Sequence, residues 1–215
     1  MLKEHPPSDE KDMEHKKKKK IITVGDSITW GICASNRNVS SWPAVLGKLA
    51  GIDIINHGKS GKYLRKKGRE PYWTESVYDY TLKLHPDLII VMLGTNDARP
   101  HSWNEESYKE DLIEMVDKFQ KIASKPKVYV MIPPAMYQPF KEIKPAIVNT
   151  KLPRAVRDAH AQMNNVTLIN SRDVLGGLKL EHNSWFCNDC KPMLYCDGCH
   201  PDDKGYELLG IYVHR

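Results

Sequence analysis

The run Leu88-Ile89-Ile90-Val91-Met92-Leu93 is the longest apolar stretch in the chain, and it shows no polar alternation. A strand with one face in water alternates apolar and polar residues. One that does not alternate is covered on both faces, the condition of a parallel sheet between two layers of helices. The run is far short of the ~18 apolar residues a membrane span needs, and no other stretch comes closer.

The segments around it repeat a strand–helix rhythm. Ile21–Val24 reads as a strand ending at Gly25, and Ile52–Asn56 as another, stopped by Gly58 and Gly61. Between them, Val45, Leu46 and Leu49 follow Ser41-Trp42-Pro43 and run to Gly51, the pattern of a helix closed by a C′ glycine. Ser76–Leu84 is helical up to Pro86. Asn104 caps a helix whose apolar positions Leu112, Met115, Val116, Phe119 and Ile122 recur every three or four residues. Strand Val128–Ile132, a loop with Pro133, Pro134 and Pro139, helix Leu152–Met163, strand Val166–Ile169 and a helix near Lys204–Val213 complete the chain. Alternation of this kind gives an α/β domain over residues 21–215, preceded by a charged tail over residues 1–20.

The tail holds seven Lys and five acidic residues and ends in Lys16–Lys20, and the whole chain carries a net charge of +5. A basic run on a polar arm is ordinarily solvated, and no base-reading motif or aromatic-interleaved basic stripe accompanies it, so nucleic acid is not the expected partner. The tail lacks the apolar core of a secretory signal, which leads us to expect a protein not exported from this start, in the cytoplasm or within an organelle.

In parallel sheets, ligands sit at the carboxyl ends of the strands. After the first strand comes Gly25-Asp26-Ser27-Ile28-Thr29; after the second, Asn56-His57-Gly58-Lys59-Ser60-Gly61; after the third, Gly94-Thr95-Asn96-Asp97; and before the last helix, Asp197-Gly198-Cys199-His200. Singly these are ordinary: Ser27 a helix cap, Gly58 a turn residue, Asn96 and Asp97 loop residues, His200 a surface imidazole. Together they bring a hydroxyl, a glycine amide, a carboxamide, a carboxylate and an imidazole to one edge. Acyl transfer needs that set: a nucleophile, its base, an orienting acid and oxyanion donors.

At these residues the chain resembles the SGNH hydrolases, the GDSL-type esterases and lipases. The blocks match at Ser27, Gly58, Asn96 and the Asp197/His200 pair, and Gly25–Trp30, Pro71-Tyr72-Trp73, Met92–Asp97 and Trp103 look like the carbohydrate acetylesterase branch. The resemblance implies a three-layer α/β/α sandwich with a five-stranded parallel sheet ordered 2-1-3-4-5. It also implies a small acyl ester as substrate, hydrolysed through an acyl-enzyme. Ser27, Asp197 and His200 would form the triad, and Ser27, Gly58 and Asn96 the oxyanion hole. Asp26, Asp97, His57 and Trp103 are the candidate substrate contacts. The alternative is a structural or accessory subunit of a larger assembly, held by a protein partner through the tail, with little or no catalytic role.

The triad requires no cofactor. Cys187, Cys190, Cys196 and Cys199 form two Cys-x-x-Cys pairs beside Asp197 and His200. Their spacing is shorter than in zinc ribbons, which leaves a structural zinc site, free thiols and disulfides all open.

Overall fold

The computed structural model describes residues 19–172, 174, 175 and 198–215. Five strands, β1 Ile21–Gly25, β2 Ile54–Gly58, β3 Leu88–Met92, β4 Lys127–Ile132 and β5 Val166–Asn170, pair in the order β2-β1-β3-β4-β5. Every pairing is parallel, with Ile21 in register with both Ile54 and Leu88. Among the described residues the α-helices are α1 Ser27–Trp30, α2 Arg37–Ser40, α3 Trp42–Ala50, α4 Ser76–Lys83, α5 Glu105–Gln120, α6 Leu152–His160 and α7 Asp203–His214.

The unbroken apolar run of β3 is explained by where its residues go. Ile89 and Val91 enter one core with Ile22 and Val24 of β1, against Leu112, Met115, Val116 and Phe119 of α5 and Ala155 and Val156 of α6. Ile90 and Met92 enter a second core with Ile21, against Trp42 and Leu46 of α3 and Tyr206 and Leu209 of α7. Alternate residues thus feed opposite faces, each sealed by helices, and the three-layer architecture follows.

Boundaries differ from the sequence reading where backbone hydrogen bonds intervene. The second strand starts at Ile54 rather than Ile52, because the Ile52 amide donates to Gly47 O and closes α3 behind Gly51, which has φ +65°. The Asn104 side chain caps α5 by accepting from Ser107 N. A turn of π-helix, Ile147–Lys151, precedes α6 and has no signature in the periodicity. Lys20, the last residue of the lysine run, is tied to the domain: its N–H donates to Asp87 Oδ2 and its Nζ to Leu84 O, both at 2.7 Å. Among the described residues no helix is long and apolar enough to cross a membrane.

Candidate active site

β1 ends at Gly25, and the chain turns at once into α1, whose first residue is Ser27. Asp26 makes that turn: it is the N-cap of α1, and its Oδ1 accepts from Ile28 N at 3.0 Å. The Ser27 N–H therefore sits in the first turn of a helix, where no intrahelical acceptor exists. The segment 198–202 returns to the same sheet edge, where the Asp202 side chain caps α7 by accepting from Gly205 N. His200 Nε2 lies 2.8 Å from Ser27 Oγ, and both residues are buried. At this distance an unprotonated Nε2 accepts the hydroxyl proton, the contact that activates a serine. Phe140 stands edge-on to the His200 ring at 5.3 Å between centroids, and Tyr137 N donates to Gly198 O at 2.9 Å. Neither Phe140 nor Tyr137 carries a sequence signal for this placement.

Asn96 follows β3 and is buried, with a fixed amide orientation: Nδ2 donates to Lys62 O at 3.1 Å, and Oδ1 accepts from Arg99 Nη1 at 3.4 Å. The second Nδ2 hydrogen has no acceptor among the described residues.

The amide of Gly58, the expected oxyanion donor, already has a partner. It still belongs to β2, in register with Gly25, and its N–H is given to Asn56 Oδ1 at 2.9 Å. It is glycine because α1 crosses over it: a Cβ there would lie 2.3 Å from Trp30 N and 2.7 Å from Thr29 C. Three residues on, past the end of the strand, Gly61 has φ +80°, room for a Cβ that would meet nothing within 4 Å, and an N–H with no acceptor among the described residues. Its neighbour Lys62 carries the carbonyl that Asn96 grips. The signal for Gly61 was present in the sequence as the second glycine of Gly58-Lys59-Ser60-Gly61.

Three of the candidate substrate contacts are buried in other roles. Asp97 is 0% exposed and accepts from Leu64 N and Arg65 N, each at 2.9 Å, so it pins the loop after Gly61. Burial pushes its carboxyl up to about 7 against those two bonds, and that of Asp26 up to about 6 against the Ile28 bond. Asp26, 1% exposed, is likewise a backbone-holding group. His57 Nδ1 lies 2.6 Å from Thr81 Oγ1, whose own proton goes to Val77 O, so the imidazole is the donor. Desolvation, helped by the Lys59 charge, lowers it to about 4 and keeps it neutral. Trp103 is partly buried against the first core, 5.5 Å from the Tyr108 ring.

Asp197, Cys187, Cys190 and Cys196 lie outside the described residues. Cys199 is buried among Ala98, Met136, Ile143 and Val148.

A family model for the GDSL-like lipases and acylhydrolases matches residues 23–208, and the match takes in both Ser27 and His200. The chain belongs to the GDSL-like lipase/acylhydrolase family. A curated family relative, an acetylxylan esterase of Xylanibacter ruminicola, is 25% identical over 214 residues; the match covers 90% of this chain and 42% of the relative. This GDSL-like chain thus spans well under half of that protein's length. Among solved structures, the aryl esterase of M. smegmatis in its inhibitor-bound form superposes with a TM-score of 0.69 at 20% identity, covering 91% of this chain and 96% of that one. A carbohydrate acetylesterase family member from Sinorhizobium meliloti gives a TM-score of 0.66 at 17% identity, covering 91% and 95%. These two likenesses establish a shared fold, the one implied by the GDSL-type blocks.

Proposed function

We propose that this GDSL-like protein is a serine esterase acting on small acyl esters, acetyl esters of a carbohydrate among them. The observation that carries the reading is the 2.8 Å contact between Ser27 Oγ and His200 Nε2 at the carboxyl edge of the sheet. His200 Nε2 takes the Ser27 proton as Oγ attacks the ester carbonyl. The tetrahedral oxyanion is held by the N–H groups of Ser27 and Gly61 and by the second Nδ2 hydrogen of Asn96. His200 then returns the proton to the departing alkoxide, leaving acyl-Ser27. Water, deprotonated by the same imidazole, repeats the sequence and releases the acid. Asp197 is assigned the orienting role on the family pattern of Asp-x-x-His alone. The acetyl preference is supported by the relatives' names, an acetylxylan esterase and a carbohydrate acetylesterase.

An accessory subunit without turnover would leave the assembled Ser27–His200 pair with no use. The test is a series of aryl esters from acetyl to lauroyl on purified protein, with Ser27→Ala as control. The expected result is turnover highest for the shortest chains and absent in the variant. Equal rates for parent and variant would remove the esterase reading.

A further inference from the structure

Arg99 lies three residues beyond Asn96, half-buried, and its guanidinium joins parts of the site that come from separate loops. Its Nη1 donates to Asn96 O at 2.7 Å and reaches Asn96 Oδ1 at 3.4 Å. The same nitrogen donates to the Tyr63 hydroxyl at 2.7 Å, in the loop that carries Gly61 and Lys62. Its Nε donates to Lys141 O at 2.9 Å, which fixes the plane of the group from the opposite side. Tyr63 is 2% exposed, so its hydroxyl is a rigid anchor for the cation.

We infer that Arg99 is a positioning residue that sets the Asn96 carboxamide as an oxyanion donor; this rests on the esterase reading above. A primary amide has two faces of similar size, and only one puts N–H groups toward both Lys62 O and the reacting oxygen. A permanent cation beside Oδ1 selects that face, because the flipped amide would point its NH₂ at a guanidinium that can only donate. The cation also draws electron density toward Oδ1, which makes the remaining Nδ2–H a stronger donor as negative charge develops on the substrate. The Arg99 bond to Asn96 O holds the backbone of the same residue, so Arg99 acts on the position of the amide and, together with Lys62 O, on its rotation.

The decisive experiment is a double-mutant cycle on aryl acetate turnover with Arg99→Met, Asn96→Ala and the pair, each checked for a native unfolding transition. Arg99→Met alone should lower kcat by about 10- to 100-fold, the range for loss of hydrogen bonds from a charged group, with KM held within about threefold. With Asn96 already replaced by Ala, the same substitution should cost no more than about threefold, since the group it acts through is gone. An equal loss in both backgrounds, or a loss confined to KM, overturns the assignment. If Arg99→Met does not fold, Arg99→Lys enters the same cycle, because a point cation cannot reproduce the planar fork that reaches Asn96, Tyr63 and Lys141 together. Parent protein and Ser27→Ala are run alongside. A parent no faster than Ser27→Ala removes the esterase reading, whereas an active parent with an additive cycle removes only the role of Arg99.

Discussion

Gly58→Ala and Gly61→Ala separate a glycine required by packing from one required by a loop. A Cβ on Gly58 would sit 2.3 Å from Trp30 N and 2.7 Å from Thr29 C and Trp30 Cα, all backbone atoms of α1. No side chain can rotate away, so the helix must shift off β2. Overpacking costs about 1–3 kcal/mol where side chains can adjust, and a backbone obstacle places this case at about 3 kcal/mol or above. For a domain of this size each kcal/mol lowers Tm by about 2–4 °C, which gives a fall of roughly 6–12 °C. A methyl on Gly61 would meet nothing within 4 Å and has only the φ of +80° to hold against. An alanine there costs about 1–2 kcal/mol of left-handed strain, or roughly 2–8 °C. Circular dichroism melts of the two variants and the parent make the comparison, with aryl acetate turnover measured well below all three transitions. Because α1 begins at Ser27, the Gly58 variant should also lose turnover as Oγ moves off His200, while Gly61→Ala keeps its N–H and more of its rate. A Gly58→Ala protein as stable as the parent, or more stable than Gly61→Ala, would refute the packing argument.

Two further outcomes follow from the buried polar groups. Asn96→Ala should lower kcat by about 10²–10³ with little change in KM, since an oxyanion donor acts on the transition state; an effect seen only in KM would contradict the role. Asp26 titrates at about 6 instead of 3.8 because burial disfavours its charge, so the folded state holds this proton more tightly than the unfolded chain. Stability from this group is complete below about pH 4 and is lost as pH rises toward 6, by on the order of 3 kcal/mol. Asp26→Asn keeps an oxygen for Ile28 N and cannot ionise, so urea melts should show it gaining on the parent by about that amount from about pH 4 to pH 7. A gap independent of pH would count against the buried charge.

The fold was legible because its main signal is coarse. An apolar run without alternation, flanked by helix-period segments, specifies a covered parallel strand whatever the details, and both cores of Ile89/Val91 and Ile90/Met92 follow from it. Of the site, the sequence blocks anticipated the meeting of Ser27 and His200 but not the partners of individual atoms. Gly58 and Gly61 look alike as letters; which amide remains available depends on whether Asn56 Oδ1 reaches one of them, and that is set by how the strand ends. Asp26 and Asp97 read as candidate substrate contacts at a sheet edge, yet each turns its carboxylate onto backbone N–H inside the protein. Arg99 gave no signal, because an arginine after Asn-Asp-Ala resembles any surface cation until Tyr63 and Lys141 are brought to it from elsewhere in the chain.

The central claim is that His200 makes Ser27 a nucleophile, and labelling by an aryl-substituted fluorophosphonate reads this without knowledge of the natural ester. Peptide mass spectrometry of the treated protein should find a single adduct, on Ser27, and none on His200→Ala treated in the same way. Labelling of another residue in the parent, or of Ser27 at an undiminished rate without His200, would contradict the account.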